Sequence, residues 1–290
     1  MRVAVTGAGG MLGHAVVPAL EEAGHEALGL THADADVTDH AALLRVTRRF
    51  RPEWIFHLAA FTRVDDCEAD AERAFLVNTL GARNAALAAE ECGAALLAIS
   101  TDYVFDGTAS TPYREYHAAA PASVYGASKW AGEQAVRDLQ PRHVVVRTSW
   151  LFGPGGANFV DTILGKARSG EALRVVDDQR GSPTYTEDLA RALIRLASAG
   201  QFGTYHVTNG GECTWYELAA FAIEQAELAA ALERTSTAAL ARPARRPAYS
   251  VLHNQFYEHV TGTRMPPWRD AVERHVKSQA PTRRGATAAR

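Results

Sequence analysis

Two side chains in the stretch SVYGASKWAGE, Tyr125 and Lys129, could share a proton. If the stretch is helical, residues four apart lie on one face, about 6 Å apart along the axis. A free phenol titrates near ~10 and is a sluggish acid at neutral pH. An ammonium group beside it favours the phenolate and lowers that value. Such a pair can protonate an oxygen, and the lysine can also bond a ribose hydroxyl. The same spacing equally describes an exposed aromatic above a solvated lysine. The pair therefore gains meaning only from the motifs around it.

The first of these is TGAGGMLG, with Gly7, Gly10 and Gly13 at Gly-x-x-Gly-x-x-Gly spacing between an apolar run and an amphipathic one. In that setting the first glycine permits a tight turn and the second lets backbone approach a pyrophosphate. The third lets helix pack on strand, and Met11 and Leu12 lie beneath the phosphates. Amides at the start of the helix then face the anion. The next apolar run ends LGLTH, where an acid would accept a bond from the ribose 2′-hydroxyl of NAD and repel the 2′-phosphate of NADP. Leu30, Thr31 and His32 stand there instead, which favours NADP(H) or indifference, with NAD(H) still admissible. Asp36 and Val37 follow. Asp36 either accepts from an adenine amino group, with Val37 packed on the ring, or is a loop acid that caps the next helix.

A third motif is STDYVFDG. It closes an apolar run that lies before the Tyr125 helix, at the carboxyl edge of the expected sheet, where such folds place ligands. Thr101 could bond the oxygen that Tyr125 protonates. The alternative is a Ser/Thr turn that ends the strand.

The elements that must hold these groups are legible as alternating runs. Strands are predicted at 2–7, 25–30, 54–60, 95–101 and 143–150, and helices at 11–24, 39–52, 72–93 and 125–139. Apolar strands between helices indicate a parallel sheet covered on both faces, with right-handed crossovers. The fold class is α/β, a Rossmann-like doubly wound sheet. Beyond about residue 150 the rhythm loosens. Helices are expected at 158–170, 186–200 (capped by Thr186) and 214–232 (capped by Thr214), with strands at 172–178 and 203–209. The stretch RPARRPAYS holds too much proline for a helix interior. The stretch 277–290 reads as a frayed tail.

Composition bounds the setting. The 290 residues, 47% hydrophobic, suffice for one large or two small domains, and a net charge of −3 without a basic stripe argues against nucleic acid as partner. Cys67, Cys92 and Cys213 form no Cys-x-x-Cys pair, so neither a disulfide framework nor a zinc cluster is expected. The first residues enter a strand directly, which leaves no room for a signal peptide. No apolar run reaches the ~18 residues of a membrane span. A soluble, cytoplasmic protein is the expectation.

Together, TGAGGMLG, HLAAFTRVDDCEAD, VNTLGARNAA, STDYVFDG, YGASKWAGE, VRTSWLFG, NFV, DDQRGSPTYTEDLA, RPAYSVL and MPPWRDAV span the chain from Gly7 to Val272. With them the chain resembles the extended short-chain dehydrogenase/reductases, and within that group the dTDP-4-dehydrorhamnose reductase family. The resemblance implies an oxidoreductase that uses NADPH to reduce the 4-keto group of a nucleotide-linked 6-deoxyhexose, dTDP-4-dehydro-L-rhamnose in the first place. It implies a dinucleotide-binding domain over 1–150, with a returning segment at about 174–209. A smaller α+β substrate domain would come from 151–173 and 210–276. By similarity Gly10, Met11 and Leu12 contact the pyrophosphate, and Asp36 and Val37 flank adenine. Ala60, Phe61 and Thr62 line the cofactor channel. Tyr125 is the proton donor, Lys129 holds the ribose, and Thr101, Asp102 and Tyr103 serve the sugar near its reacting carbon. Trp150 either contacts substrate or is a core aromatic at a strand end. Some members bind magnesium through glutamates at a dimer contact. Here one such position is occupied by His14 and Ala15, so neither that metal nor that form of homodimer is expected.

Two other activities occur on relatives of this pattern. Sugar-nucleotide dehydratases carry Asp-Glu after the threonine, whereas here Asp102 precedes Tyr103, which disfavours dehydration. Epimerisation is not separated by that argument. A regulatory subunit of methionine adenosyltransferase also resembles the family and binds NADP without catalysis, a role made less attractive by retention of both Tyr125 and Lys129.

Overall fold

Val3, Ala4 and Val5, and likewise Val144, Val145 and Val146, offer no polar side to water, and all six are fully buried. Such strands need cover on both faces. The computed structural model, which describes residues 1–279, supplies it by alternation. In chain order come β1 (Arg2–Thr6), α1 (Met11–Glu22), β2 (Glu26–Leu30), α2 (His40–Phe50), β3 (Trp54–His57), α3 (Val64–Ala69), α4 (Ala71–Phe75), a π turn (Leu76–Leu80), α5 (Gly81–Cys92), β4 (Ala95–Thr101), a 3₁₀ turn (Asp102–Val104), α6 (Val124–Leu139) and β5 (His143–Thr148).

The second half is more broken. It runs β6 (Leu151–Phe152), α7 (Phe159–Arg168), β7 (Leu173–Val176), β8 (Arg180–Gly181), β9 (Thr184–Tyr185), α8 (Thr186–Ala199), β10 (Gly203–His206), β11 (Cys213–Thr214), α9 (Trp215–Gln225), β12 (Leu232–Thr235), α10 (Thr237–Leu240), α11 (Gln255–Thr261) and α12 (Trp268–Gln279).

Six strands form one sheet in the order β2-β1-β3-β4-β5-β10, every pair parallel. The chain winds outward from β1 to β2, then reverses through β3. The crevice between the carboxyl ends of β1 and β3 is thus the switch point where ligands enter such sheets. One face is covered by α1 and α8, which bring Val16, Leu20, Leu193 and Leu196 onto Phe56 and Leu97. The other is covered by α2, α5 and α6. There Ala85, Ala86, Ala88 and Ala89 of α5 are all fully buried, their short side chains letting the helix lie close to the strands. A separate pair of apolar clusters joins α7, α9 and α12, including Leu164, Leu218, Trp268 and Val272.

Several boundaries differ from the sequence expectation. Thr186 does not cap α8: β9 pairs with β6 through Tyr185, so the cap position falls on Tyr185, and the Thr186 hydroxyl is buried without a partner. The helix expected over 214–232 stops at Gln225. Glu227 then takes a left-handed φ of 53°, and Leu232–Thr235 becomes a strand parallel to β7. Its start is as expected, since Thr214 and Glu217 form a reciprocal capping box. The returning segment joins the large sheet only through α8 and β10, because β7 pairs with β12. The helix expected over 72–93 is interrupted by the π turn. Lys277, Ser278 and Gln279 of the expected tail belong to α12, and the rest of that tail lies outside the described residues.

The seating of α6 is tight. A Cβ added at Gly126 would stand 2.2 Å from the carbonyl oxygen of Tyr103, and one at Gly132 would stand 2.5 Å from that of Asn78. Backbone cannot yield as a flexible side chain can. Gly126→Ala is therefore expected to cost about 1–3 kcal/mol of stability, as overpacking does, measured by urea denaturation. An unchanged midpoint would show that the two elements are not in contact.

Candidate active site

The loop after β1 begins with Gly7 at φ +73°, and a Cβ there would stand 2.6 Å from the amide nitrogen of Ala59 in the loop after β3. Only glycine meets both demands cheaply. Gly13 is equally constrained, since its Cβ would stand 2.5 Å from the carbonyl oxygens of Gly7 and Ala8. The result is a turn flush against the sheet, followed by α1, whose N-cap Gly10 contributes no side chain. The first amides of α1 have no partner within the helix. They open on a cleft whose wall includes Gly7, Gly10, Met11, Leu12 and Gly13.

The cleft has a volume of about 1830 Å³, against an upper end of ~1,000 Å³ for a pocket that holds one drug-sized ligand. It has room for two ligands end to end. Along it stand every site residue singled out in the sequence: Asp36 and Val37, then Ala60, Phe61 and Thr62, then Thr101, Asp102, Tyr103, Tyr125, Lys129 and Trp150.

At the β2 end Thr31 and His32 line the wall. The nearby carboxylate of Asp34 is turned onto Thr31, accepting from its amide at 2.8 Å and its hydroxyl at 2.6 Å. Asp36 accepts from the amide and hydroxyl of Thr38, both at 2.9 Å, which holds its carboxyl below the usual range. It does not cap α2. That place belongs to Asp39, which accepts from the Ala42 amide.

At the centre, β4 delivers Thr101 and α6 delivers Tyr125. The Thr101 hydroxyl donates to Asp102 Oδ1 at 3.0 Å, and its oxygen accepts from the Tyr103 amide at 3.2 Å. The strand thus ends in a Ser/Thr turn and presents Thr101 to the cleft at once. Tyr103 stands edge-on to Tyr125, ring centres 5.5 Å apart. Burial pushes the Tyr125 phenol above its ordinary value, and the neighbouring Thr101 hydroxyl draws it part of the way back. The expected lowering by Lys129 is not found: desolvation dominates, and the Asp102 charge adds to the rise. Asp102 is pushed up to about 6, again by burial.

Lys129 is 6% exposed and donates to the Ile99 carbonyl at 2.7 Å. Burial pulls its ammonium down to about 8, and the Glu133 charge one turn further along the helix works against that fall. Glu133 is itself held by Ser100 at 2.6 Å, by Arg147 at 2.9 and 2.8 Å, and by Arg137 at 2.8 Å.

The far end of the cleft was only partly legible. Trp150 is half-buried, packed against the α7–α9–α12 cluster on one side and lining the cleft on the other. It takes a left-handed φ of 50° and stacks on Trp215, centroids 3.6 Å apart and planes 7° apart. Gly181 makes room for it, since a Cβ there would meet Trp150 Cε2 at 2.5 Å. Trp215 and Gln179, joined by a 3.1 Å bond, line the same wall; Trp215 lies in none of the motifs, and Gln179 lies within DDQRGSPTYTEDLA with no role assigned to it there. Arg246, also on the wall, pairs with both oxygens of Asp65 at 3.0 and 2.8 Å and so ties the stretch before α11 to the start of α3. Among the described residues no group of three or more His, Cys, Asp or Glu side chains converges as a metal site would require.

The family described as RmlD substrate binding domain matches residues 1–280. The chain belongs to this family. Among its relatives, the spore coat polysaccharide biosynthesis protein SpsK of Bacillus subtilis is 41% identical over 96% of this chain and 98% of its own. A dTDP-4-dehydrorhamnose reductase of Streptomyces griseus is 42% identical over 92% and 90%. The crystal structure of dTDP-4-dehydrorhamnose reductase from Bacillus anthracis in complex with NADP is similar with a TM-score of 0.93, at 38% identity, covering 96% of this chain and 99% of that one. Membership of the RmlD family accounts for the motifs that run the length of the sequence.

If Lys129 bonds a ribose hydroxyl, as the resemblance implies, its charged form makes the stronger bond. With its ammonium at about 8, the bond is at full strength below that pH and weakens as pH rises through it. NADP⁺ affinity, measured by calorimetry, is expected to fall about fivefold across that range, the worth of ~1 kcal/mol. A flat profile would detach Lys129 from the cofactor.

Proposed function

We propose that this chain is an NADPH-dependent reductase of the 4-keto group of a nucleotide-linked 6-deoxyhexose, with dTDP-4-dehydro-L-rhamnose reduced to dTDP-L-rhamnose. The observation that carries it is that Tyr125, Lys129 and Thr101 line one cleft together with a glycine turn and the Trp150–Trp215 stack, with Thr101 bonded to the Tyr125 phenol. The names of the Streptomyces griseus and Bacillus anthracis relatives support the same reading.

The wall fits a dinucleotide. Gly7 and Gly13 leave backbone where side chains would stand, and the uncapped α1 amides face the place of a diphosphate. Bound along this wall, the nicotinamide cofactor supplies the hydride that adds to the keto carbon. Lys129 would hold the ribose. Tyr125 gives its phenolic proton to the carbonyl oxygen, and the raised phenol keeps that proton available at neutral pH. Thr101 orients the oxygen once its hydroxyl turns from Asp102. Ala60, Phe61 and Thr62 close the channel beside the ring. The sugar nucleotide extends toward Trp150 and Trp215, whose stacked faces shed water. In this reading the large sheet holds the cofactor and the α7–α9–α12 unit holds the nucleotide. Dehydration would need a second carboxylate beside Asp102, and Tyr103 occupies that position against Tyr125. The setting proposed is the cytoplasm, consistent with three free thiols, and no helix among the described residues is long and apolar enough to cross a membrane.

Tyr125→Phe removes one oxygen and keeps the ring contact with Tyr103. Turnover of dTDP-4-dehydro-L-rhamnose, followed as NADPH absorbance, is expected to fall about 10²–10⁴-fold with NADP⁺ affinity kept within about threefold. Near-normal turnover would overturn the mechanism. The cofactor choice is tested separately. His32→Asp places a carboxylate where a 2′-phosphate would lie, so kcat/KM is expected to drop at least about tenfold with NADPH and much less with NADH. Equal loss with both would show that His32 does not read the ribose.

A further inference from the structure

Behind Lys129, on the side away from the cleft, lies a small cavity. It is lined by His57, Asn78, Ser100, Lys129 and Glu133, with apolar side chains between them. Its volume is about 10 Å³, close to the ~10–15 Å³ that one water molecule needs. All five polar residues are at most 6% exposed. His57 is the unexplained member. It sits at the end of β3, its Nδ1 meets the Thr6 hydroxyl at 2.9 Å, and its Nε2, on the opposite edge of the ring, is buried with no partner. A buried polar atom left unpaired costs about 1–3 kcal/mol, so something should meet it.

The neighbours narrow the choice. The Glu133 carboxylate already takes four hydrogen bonds, from Ser100, twice from Arg147 and from Arg137. Asn78 is engaged with both backbone groups of Phe61 and with Ser128. Ser100 has donated its proton and keeps lone pairs. Lys129 has three N–H donors, one of them on Ile99. Two donors remain, and Lys129 lines both the cleft and the cavity.

We infer that the cavity is a one-water site, in which the water accepts from Lys129 Nζ and donates to His57 Nε2 and Ser100 Oγ, making His57 a positioning residue for the lysine. Three bonds is the usual number for a buried water. The matching tautomer has Nδ1–H donating to Thr6 and a bare Nε2, the form that a nearby cation favours. Burial and the Lys129 charge both hold His57 neutral, down to about 3. With Ile99, the water and a ribose hydroxyl, all three lysine protons are placed, which keeps a buried ammonium charged. The titratable groups around Lys129 are then His57 from β3 and Glu133 and Tyr125 from its own helix, with Arg147 of β5 and Arg137 behind Glu133.

This rests on the reading that Lys129 serves the cofactor, and the test separates the two. A high-resolution crystal structure of the NADP⁺ complex is expected to show one ordered water within hydrogen-bond distance of Lys129 Nζ and His57 Nε2, and a dry cavity overturns the inference. For kinetics, His57→Leu removes the acceptor and His57→Gln restores one near Nε2. The alkaline midpoint of kcat is expected to fall by about one pH unit in His57→Leu, with activity about fivefold lower at the wild-type midpoint and approaching about tenfold well above it, and to stay near wild type in His57→Gln. An unmoved midpoint in a folded His57→Leu protein, with Lys129→Met inactive, defeats the water and leaves the site reading standing. An active Lys129→Met protein defeats the site reading instead.

Discussion

How closely α6 lies against the carboxyl ends of β4 and β5 decides whether this cleft has any chemistry. Three fasteners set that distance, and each is unforgiving in a different way. Gly126 meets the Tyr103 carbonyl and Gly132 meets that of Asn78, where any Cβ would collide with backbone. Glu133 then anchors the middle of the helix in a buried ionic knot with Arg147 and Arg137. Buried pairs of this kind carry a desolvation cost of several kcal/mol per ion and are weak evidence for stability. Their directional bonds do specify register. With Glu133 fixed, Lys129 and Tyr125 follow at one-turn intervals along the same face, so a single helix places acid, cation and counter-charge in a row.

Burial then determines how these groups behave. The sequence spacing suggests a lysine that acidifies a phenol. In the free protein the phenol is raised and the lysine lowered, both because water is scarce at the helix face. The two shifts serve the same end: a phenol that keeps its proton until a carbonyl oxygen arrives, beside a cation that sits within reach of its own titration. Desolvation is a property of packing depth, which spacing along a chain does not encode.

What could be read from the sequence follows the same division. Gly7 and Gly13 were legible because a positive φ or a backbone contact leaves few residue types to choose from. The four inner strands were legible because doubly covered strands are largely apolar, although β3 and β5 end earlier than their apolar runs do. The cap at Thr214 was legible because its partner Glu217 is local. The cap expected at Thr186 was not, since the pairing of β9 with β6 moves the helix start. The alanine-rich run after Gln225 satisfies helix propensity, yet its fate is decided by the distant strand β7. Trp215 lies in no motif, and Gln179 and Arg246, though inside DDQRGSPTYTEDLA and RPAYSVL, reach the cleft only through contacts between segments far apart in the chain. The π turn that lets Asn78 grip both Phe61 and Ser128 has no sequence signature of its own; such turns frequently mark functional sites.

The order of strands also bears on how the molecule is made. β5 has only one neighbour, β4, until β10 arrives on its other side, and Ser149 to Phe202 are synthesised in between. During translation the sheet therefore waits with an apolar, unprotected border, the kind of edge that recruits foreign strands. Closing it early is impossible, because the excursion that delays β10 is the part of the chain that builds the far end of the cleft.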